Sequence, residues 1–183
     1  MTAHSFRSAT AVFLLVAAAC AVGDERDRNV VRGRGLKAAE LSAGSRTAIY
    51  DASARAAFDF GPALSLLLHP RQLPRSAGRA GGDSIPAAIA AGLRQMGTVQ
   101  GTCDAPDATG PRTPQCTAEL PGYVVRFSDV LRVSRDTIQV YVEAERYDTP
   151  TTGTHQAMRF ERAFQLVRNG RWRVVKQARV TRQ

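Results

Sequence analysis

Arg162 and Lys176 are the residues whose types and placement most suggest chemistry in this 183-residue chain. They lie between Met158 and Val180, where Met158, Phe160, Phe164 and Leu166, then Trp172, Val174, Ala178 and Val180, all occupy even positions. That period of two is the mark of a half-buried strand. Asn169-Gly170 between the two runs marks a hairpin turn. A two-residue loop would set even positions opposite odd ones and turn Trp172 and Val174 to the wrong face. A three-residue loop, Arg168-Asn169-Gly170 with a left-handed Gly170, pairs residue 167 with 171 instead. Leu166 then faces Trp172, Phe164 faces Val174, Phe160 faces Ala178 and Met158 faces Val180. Arg162 falls opposite Lys176 in the middle of the apolar face, where facing like charges cost up to roughly 1 kcal/mol. Either both stems lie on apolar surface and their heads reach water or a carboxylate such as Asp51 or Asp59, or the two cations line a concave anion-binding pocket with Tyr50 and Phe164 as walls.

The other chemistry-bearing residues are more scattered. Glu143 and Glu145 alternate with the apolar residues Ile138, Val140, Val142 and Ala144, so they belong to a polar face as solvated partners of outer arginines such as Arg159 rather than as an acid/base pair. His69 closes a short apolar run before Pro70, and no carboxylate or nucleophile stands at a telling spacing, so it reads as an ordinary strand-end histidine and not a general base. The glycines at 78, 81 and 82 lack the Lys-Ser/Thr ending of a phosphate loop. No catalytic residue, cofactor or metal site is expected from these patterns.

The three cysteines divide two and one. Cys103 and Cys116 lie in a Pro-, Gly- and Asp-rich stretch where an exported protein would form a bridge; closing that loop contributes about 3 kcal/mol in the chain-entropy view. Cys20 follows an apolar run from Ala9 to Ala19 that is too short to span a membrane and reads as a signal peptide over residues 1–19. Ala17-Ala18-Ala19-Cys20 resembles the lipobox of bacterial lipoproteins, which implies lipidation of Cys20 and a membrane anchor; ordinary cleavage after Ala19 is the alternative. The location expected is therefore the cell envelope, anchored or otherwise secreted. Residues 20–44 read as a tether, with mixed charge and no apolar period before about Leu36, and 45–183 as one domain.

The net charge of +9 is carried almost wholly by arginine. A GC-rich coding genome accounts for an Arg-heavy, Lys-poor, Ala-rich composition; the functional alternative is attraction to an anionic partner such as a membrane surface or envelope polyanion. Export and the absence of any recognition-helix, zinc-finger or RNA-binding signature argue against nucleic acid.

These residues need a frame to hold them. Ile49, Tyr50, Ala54, Ala57 and Phe58 predict a first helix from about Ser45 to Phe60, capped by Ser45 and stopped by Gly61-Pro62. Ala63 to His69 predicts a short strand. Ile85, Ile89, Leu93 and Met96 predict a second helix, capped by Asp83 or Ser84 and ended by Gly97. Tyr123 to Arg132, with an irregularity near Ser128-Asp129, and Thr137 to Tyr147 predict two long strands ahead of the final hairpin. The order implies an α+β fold, two helices packed on a curved, mainly antiparallel sheet of four to five strands.

With that order and the segment Phe160 to Val175, FERAFQLVRNGRWRVV, the chain resembles the NTF2-like (SnoaL-type, cystatin-like cone) superfamily over roughly residues 45–183, with Trp172 in the usual G-x-W-x-V place. The resemblance implies a cone or roll. It also implies a choice, since members include dehydratases and isomerases with Asp/His pairs and many non-catalytic modules. No Asp/His pair here matches, so no catalytic residue carries over. The leading expectation is a non-enzymatic, membrane-anchored binding or accessory domain. The alternatives are a small-anion or small-molecule pocket around Arg162 and Lys176, and a homodimer formed through the open sheet face.

Overall fold

The computed structural model describes residues 36–58, 65–74, 83–104, 122–147 and 159–180. The expected leader, Cys20, the tether as far as residue 35, Asp59, Cys116 and Met158 lie outside them.

Ser42, whose side chain accepts from the Ser45 amide at 3.3 Å, starts helix α1 (Ala43–Ala57). The cap is thus one turn earlier than the expected Ser45, because Ser42 satisfies an amide that the helix cannot. The helix ends at Phe58, whose amide donates to the Ala54 carbonyl. Helix α2 (Ala87–Gln95) buries Ile89, Ala90 and Leu93, leaves Met96 exposed, and is followed by Gly97 in the left-handed region at φ +68°. Pro86 holds the cap position expected of Asp83 or Ser84.

Among the described residues the strands are β1 (Lys37–Ala38), β2 (Ser65–Leu68), β3 (Gly101–Thr102), β4 (Gly122–Phe127), β5 (Leu131–Arg132), β6 (Thr137–Tyr147), β7 (Arg159–Asn169) and β8 (Arg171–Arg179). They form one open, mixed, eight-stranded sheet, larger than the four to five strands expected. The additional strands are two-residue pieces, too short to show an alternation. β2 pairs in parallel with both β3 and β4, and all four of its residues are buried, as an unbroken apolar run on an interior strand requires. β4 and β5 both pair with β6, so they are one strand interrupted at 128–130. The interruption is stitched by Ser128, which donates its amide to the Tyr141 carbonyl while its Oγ accepts the Tyr141 amide at 2.9 Å.

The final hairpin corrects the expected register. Arg168 pairs with Trp172 and Leu166 with Val174, two residues out of step with the expected pairs but with the same phase, so Trp172 and Val174 do face the helices. Beyond that, a β-bulge at Gln165/Leu166 sets Gln165 opposite Lys176, Phe164 opposite Gln177 and Arg162 opposite Arg179. Val175 is the unpaired extra residue and stands 57% exposed. One inserted residue moves everything after it to the other face. Val180 accordingly packs in a second core on the far side of the sheet, with Leu73, Leu131, Tyr141, Ala163 and Leu36.

The main core lies between the helices and the sheet, around Ile49, Tyr50, Leu68, Leu93, Phe127, Val140, Phe164 and Leu166. The far face, expected to be solvated, is buried at its centre, where Gln139 and Tyr141 are fully enclosed.

Candidate functional site

The residues expected to line a pocket are placed apart. Tyr50 and Phe164 are fully buried in the main core. The Tyr50 hydroxyl donates to the Ser128 carbonyl at 2.8 Å, accepts from Gln72 Nε2 at 3.1 Å, and its ring stacks on Phe127 with centroids 4.5 Å apart. Burial is the main reason its pKa stands well above the ordinary phenol value. Arg162 keeps its like-charged neighbour, but that neighbour is Arg179. Its guanidinium lies 5.0 Å over the Phe160 ring and donates to the Ala57 carbonyl at 3.2 Å, at the negative end of α1. Lys176, opposite Gln165, belongs to the far face. Asp51, offered as a partner for these cations, instead accepts from Arg55 at 2.9 Å and from Thr98 at 2.5 Å, tying α1 to the end of α2. Cys103 is disulfide-bonded.

What the fold does bring together is a row of ionisable side chains across the far face. In register, Arg126 on β4 stands opposite Glu143 on β6, and Glu143 stands opposite Glu161 on β7. The His69 amide bonds to the Val125 carbonyl, which continues the β2–β4 ladder and sets the imidazole beside Arg126. Both glutamates are buried, at 5% exposure each. Two carboxylates directly across a ladder repel. Arg159, one pair along on the same face, compensates by donating to Glu143 at 2.5 Å. That bond is the main reason the Arg159 pKa is raised further. Arg126 donates to the Arg71 and Gln72 carbonyls at 3.0 and 2.9 Å, fixing the segment after β2 over the sheet. Next to this row, Gln165 donates to Gln139 at 3.2 Å and Gln139 to the Tyr141 hydroxyl at 2.6 Å.

His69 is held below its ordinary pKa, first by burial and then by the charge of Arg126; the Arg71 backbone and Glu143 pull the other way. Its Nδ1 lies 3.0 Å from the Arg71 amide and 2.9 Å from the Arg71 carbonyl. Unprotonated, it accepts from the first; protonated, it donates to the second. A neutral imidazole, two facing carboxylates and two guanidinium groups are material for proton transfer and equally for a structural ion network.

The Arg159–Glu143 pair stands where the sequence placed it, except that Glu143 is buried and not solvated. The rest of the row was hidden because its members come from four strands whose relative register no single segment specifies. The parity of Glu143, Glu161 and Arg126 on their own strands was visible and is the signal that could have found them. Among the described residues no group of three or more His, Cys, Asp or Glu side chains converges to hold a metal ion, and no helix is long and apolar enough to cross a membrane.

Fold and site together define an α+β domain whose open mixed sheet carries two helices on one face and an ionic row on the other. No family model, curated protein or solved structure matches the chain.

Proposed function

We propose that this chain is an envelope-anchored, non-catalytic binding or accessory domain of NTF2-like type, held at a membrane through a lipid on Cys20. The observation that carries the non-catalytic reading is that polar groups suited to chemistry are bonded within the protein. Glu143 is held by Arg159, Nδ1 of His69 by the Arg71 backbone, Arg126 by two carbonyls, the Tyr50 hydroxyl by Ser128 and Gln72, and Arg162 by the end of α1. Such a network stiffens a sheet and leaves recognition to its outer surface. The superfamily reading is supported by two helices lying on one face of a sheet whose last three long strands run antiparallel.

The pocket alternative has less behind it, since the pairing directs Arg162 and Lys176 to opposite faces. A homodimer through an open apolar face has little too: the large apolar side chains exposed among the described residues are Met96 and Val175. The anchor is tested by fractionating cells that express the full chain or its Cys20→Ser variant, with a labelled fatty acid supplied. The wild type should sediment with membranes and carry label, and the variant should do neither. Label-free, soluble wild type would overturn the anchoring. Non-catalysis is tested by His69→Gln and Glu143→Gln variants in the native host: loss of function with unchanged stability would overturn it.

A further inference from the structure

One end of the sheet carries a concentration of positive charge. The β5–β6 turn and the β7–β8 turn lie side by side there, joined by the Arg168 amide donating to the Asp136 carbonyl at 3.2 Å and by Thr137 pairing with Val167. Lys37 pairs with Arg132 one strand further out. This brings Lys37, Arg132, Arg135, Arg168, Arg171 and Arg173 to the same end of a five-strand span, about 19 Å wide at the usual strand spacing. All six are exposed. Asp136 is the one acid within 131–137 and 167–173, and none of the six cations makes an ion pair among the described residues. Arg132 donates at 3.4 Å to the Arg135 carbonyl, which orders the turn without neutralising it.

Edge protection explains only part of this. Charge on an edge strand discourages pairing with another chain, and β8 is such an edge. Arg132, Arg135 and Arg168 are at the ends of interior strands, where no edge needs guarding. Holding six like charges together costs repulsion that a partner of opposite sign would relieve.

We propose that this end of the sheet docks on an anionic lipid surface, reading its phosphate headgroups. The proposal rests on the anchoring reading for its geometry: the described chain starts at Leu36, beside Lys37, so a lipid on Cys20 could lie at most about 55 Å away along the chain and would bring this same end to the membrane. Headgroup attraction is worth about a five-fold gain in partitioning per basic residue near the surface and decays within a Debye length.

The test uses the full chain carrying Cys20→Ser, so that loss of the lipid cannot be mistaken for loss of docking, and any contribution from residues 1–19 is common to every variant. Sedimentation with phosphatidylcholine vesicles is compared with sedimentation when phosphatidylglycerol is mixed in. Binding should appear with the anionic lipid and fade with added salt. Arg132→Glu/Arg168→Glu/Arg173→Glu should weaken it by at least about a hundred-fold, the loss of three attractive charges before the added repulsion, while Arg94→Glu/Arg179→Glu, with Arg179 at the far end of β8, should weaken it much less. Circular dichroism melts check that the variants fold. Equal binding to both vesicle types, equal loss in the two multiple variants, or binding to a soluble polyanion such as heparin with none to vesicles would each overturn the proposal.

Discussion

Replacing Arg159 should harm the protein more than replacing its partner Glu143, although both changes remove the same ion pair. The Arg159 side chain is 44% exposed and that of Glu143 7%. Arg159→Met leaves a carboxylate buried, facing Glu161 across the ladder, and takes away one donor that offsets the repulsion. A charge-assisted bond of this kind is worth about 1.5–3 kcal/mol, and solvent access to Arg159 places the loss at the lower end, about 1–2 kcal/mol. Glu143→Gln keeps the shape and an acceptor, lets Arg159 turn to water, and relieves a like-charge contact worth up to about 1 kcal/mol. Its cost should be close to zero. The double variant should resemble Glu143→Gln alone, since a neutral residue 143 no longer needs the guanidinium. Urea midpoints of the four proteins, with unchanged slopes, measure this. If Glu143→Gln proved as damaging as Arg159→Met, or the two losses simply added, the row would not be the balanced network described.

His69 gives a pH prediction. Its folded pKa lies below the ordinary 6.5, so the unfolded chain takes up the proton first, and its contribution to stability is complete above that pH and falls as pH drops below it. His69→Gln should flatten this slope in melts taken across the range. In imidazole NMR titrations Glu143→Gln should lower the His69 pKa further and Arg126→Gln should raise it; shifts of the opposite sign would refute the placement. Gly92→Ala builds a Cβ 2.8 Å from Thr47 Cγ2, so overpacking of about 1–3 kcal/mol should outweigh a helix-propensity gain of about 1 kcal/mol; with Thr47→Ala beside it, denaturation should show the same change to be stabilising by about 1 kcal/mol. Arg179→Glu should stabilise by about 0.5–1 kcal/mol on thermal or urea unfolding, because it replaces a like-charged partner of Arg162 with an opposite one.

The elements legible in the letters are those whose information is local. Tyr50, Ile49 and Ala54 at helical spacing specify α1, the apolar alternation of 138–144 specifies β6, and the break at Ser128 shows where a polar residue interrupts an apolar strand. The turn at Gly170, with φ +69°, was legible because no other residue takes that conformation so readily. How the strands align depends on packing between distant segments. Val175 is apolar at an odd position and Lys176 is charged at an even one, but the even apolar series resumes at Ala178 and Val180, so the letters do not show that Val175 bulges out and leaves Ala178 and Val180 on the opposite face from Trp172 and Val174. Two-residue strands such as β1 and β5 carry no period at all and exist because a neighbour offers them a ladder. For the same reason the ionic row and the arginine-rich end could not be read in advance: each gathers residues distant in sequence, and their proximity depends on inter-strand register, which is set by the packing of both sheet faces at once.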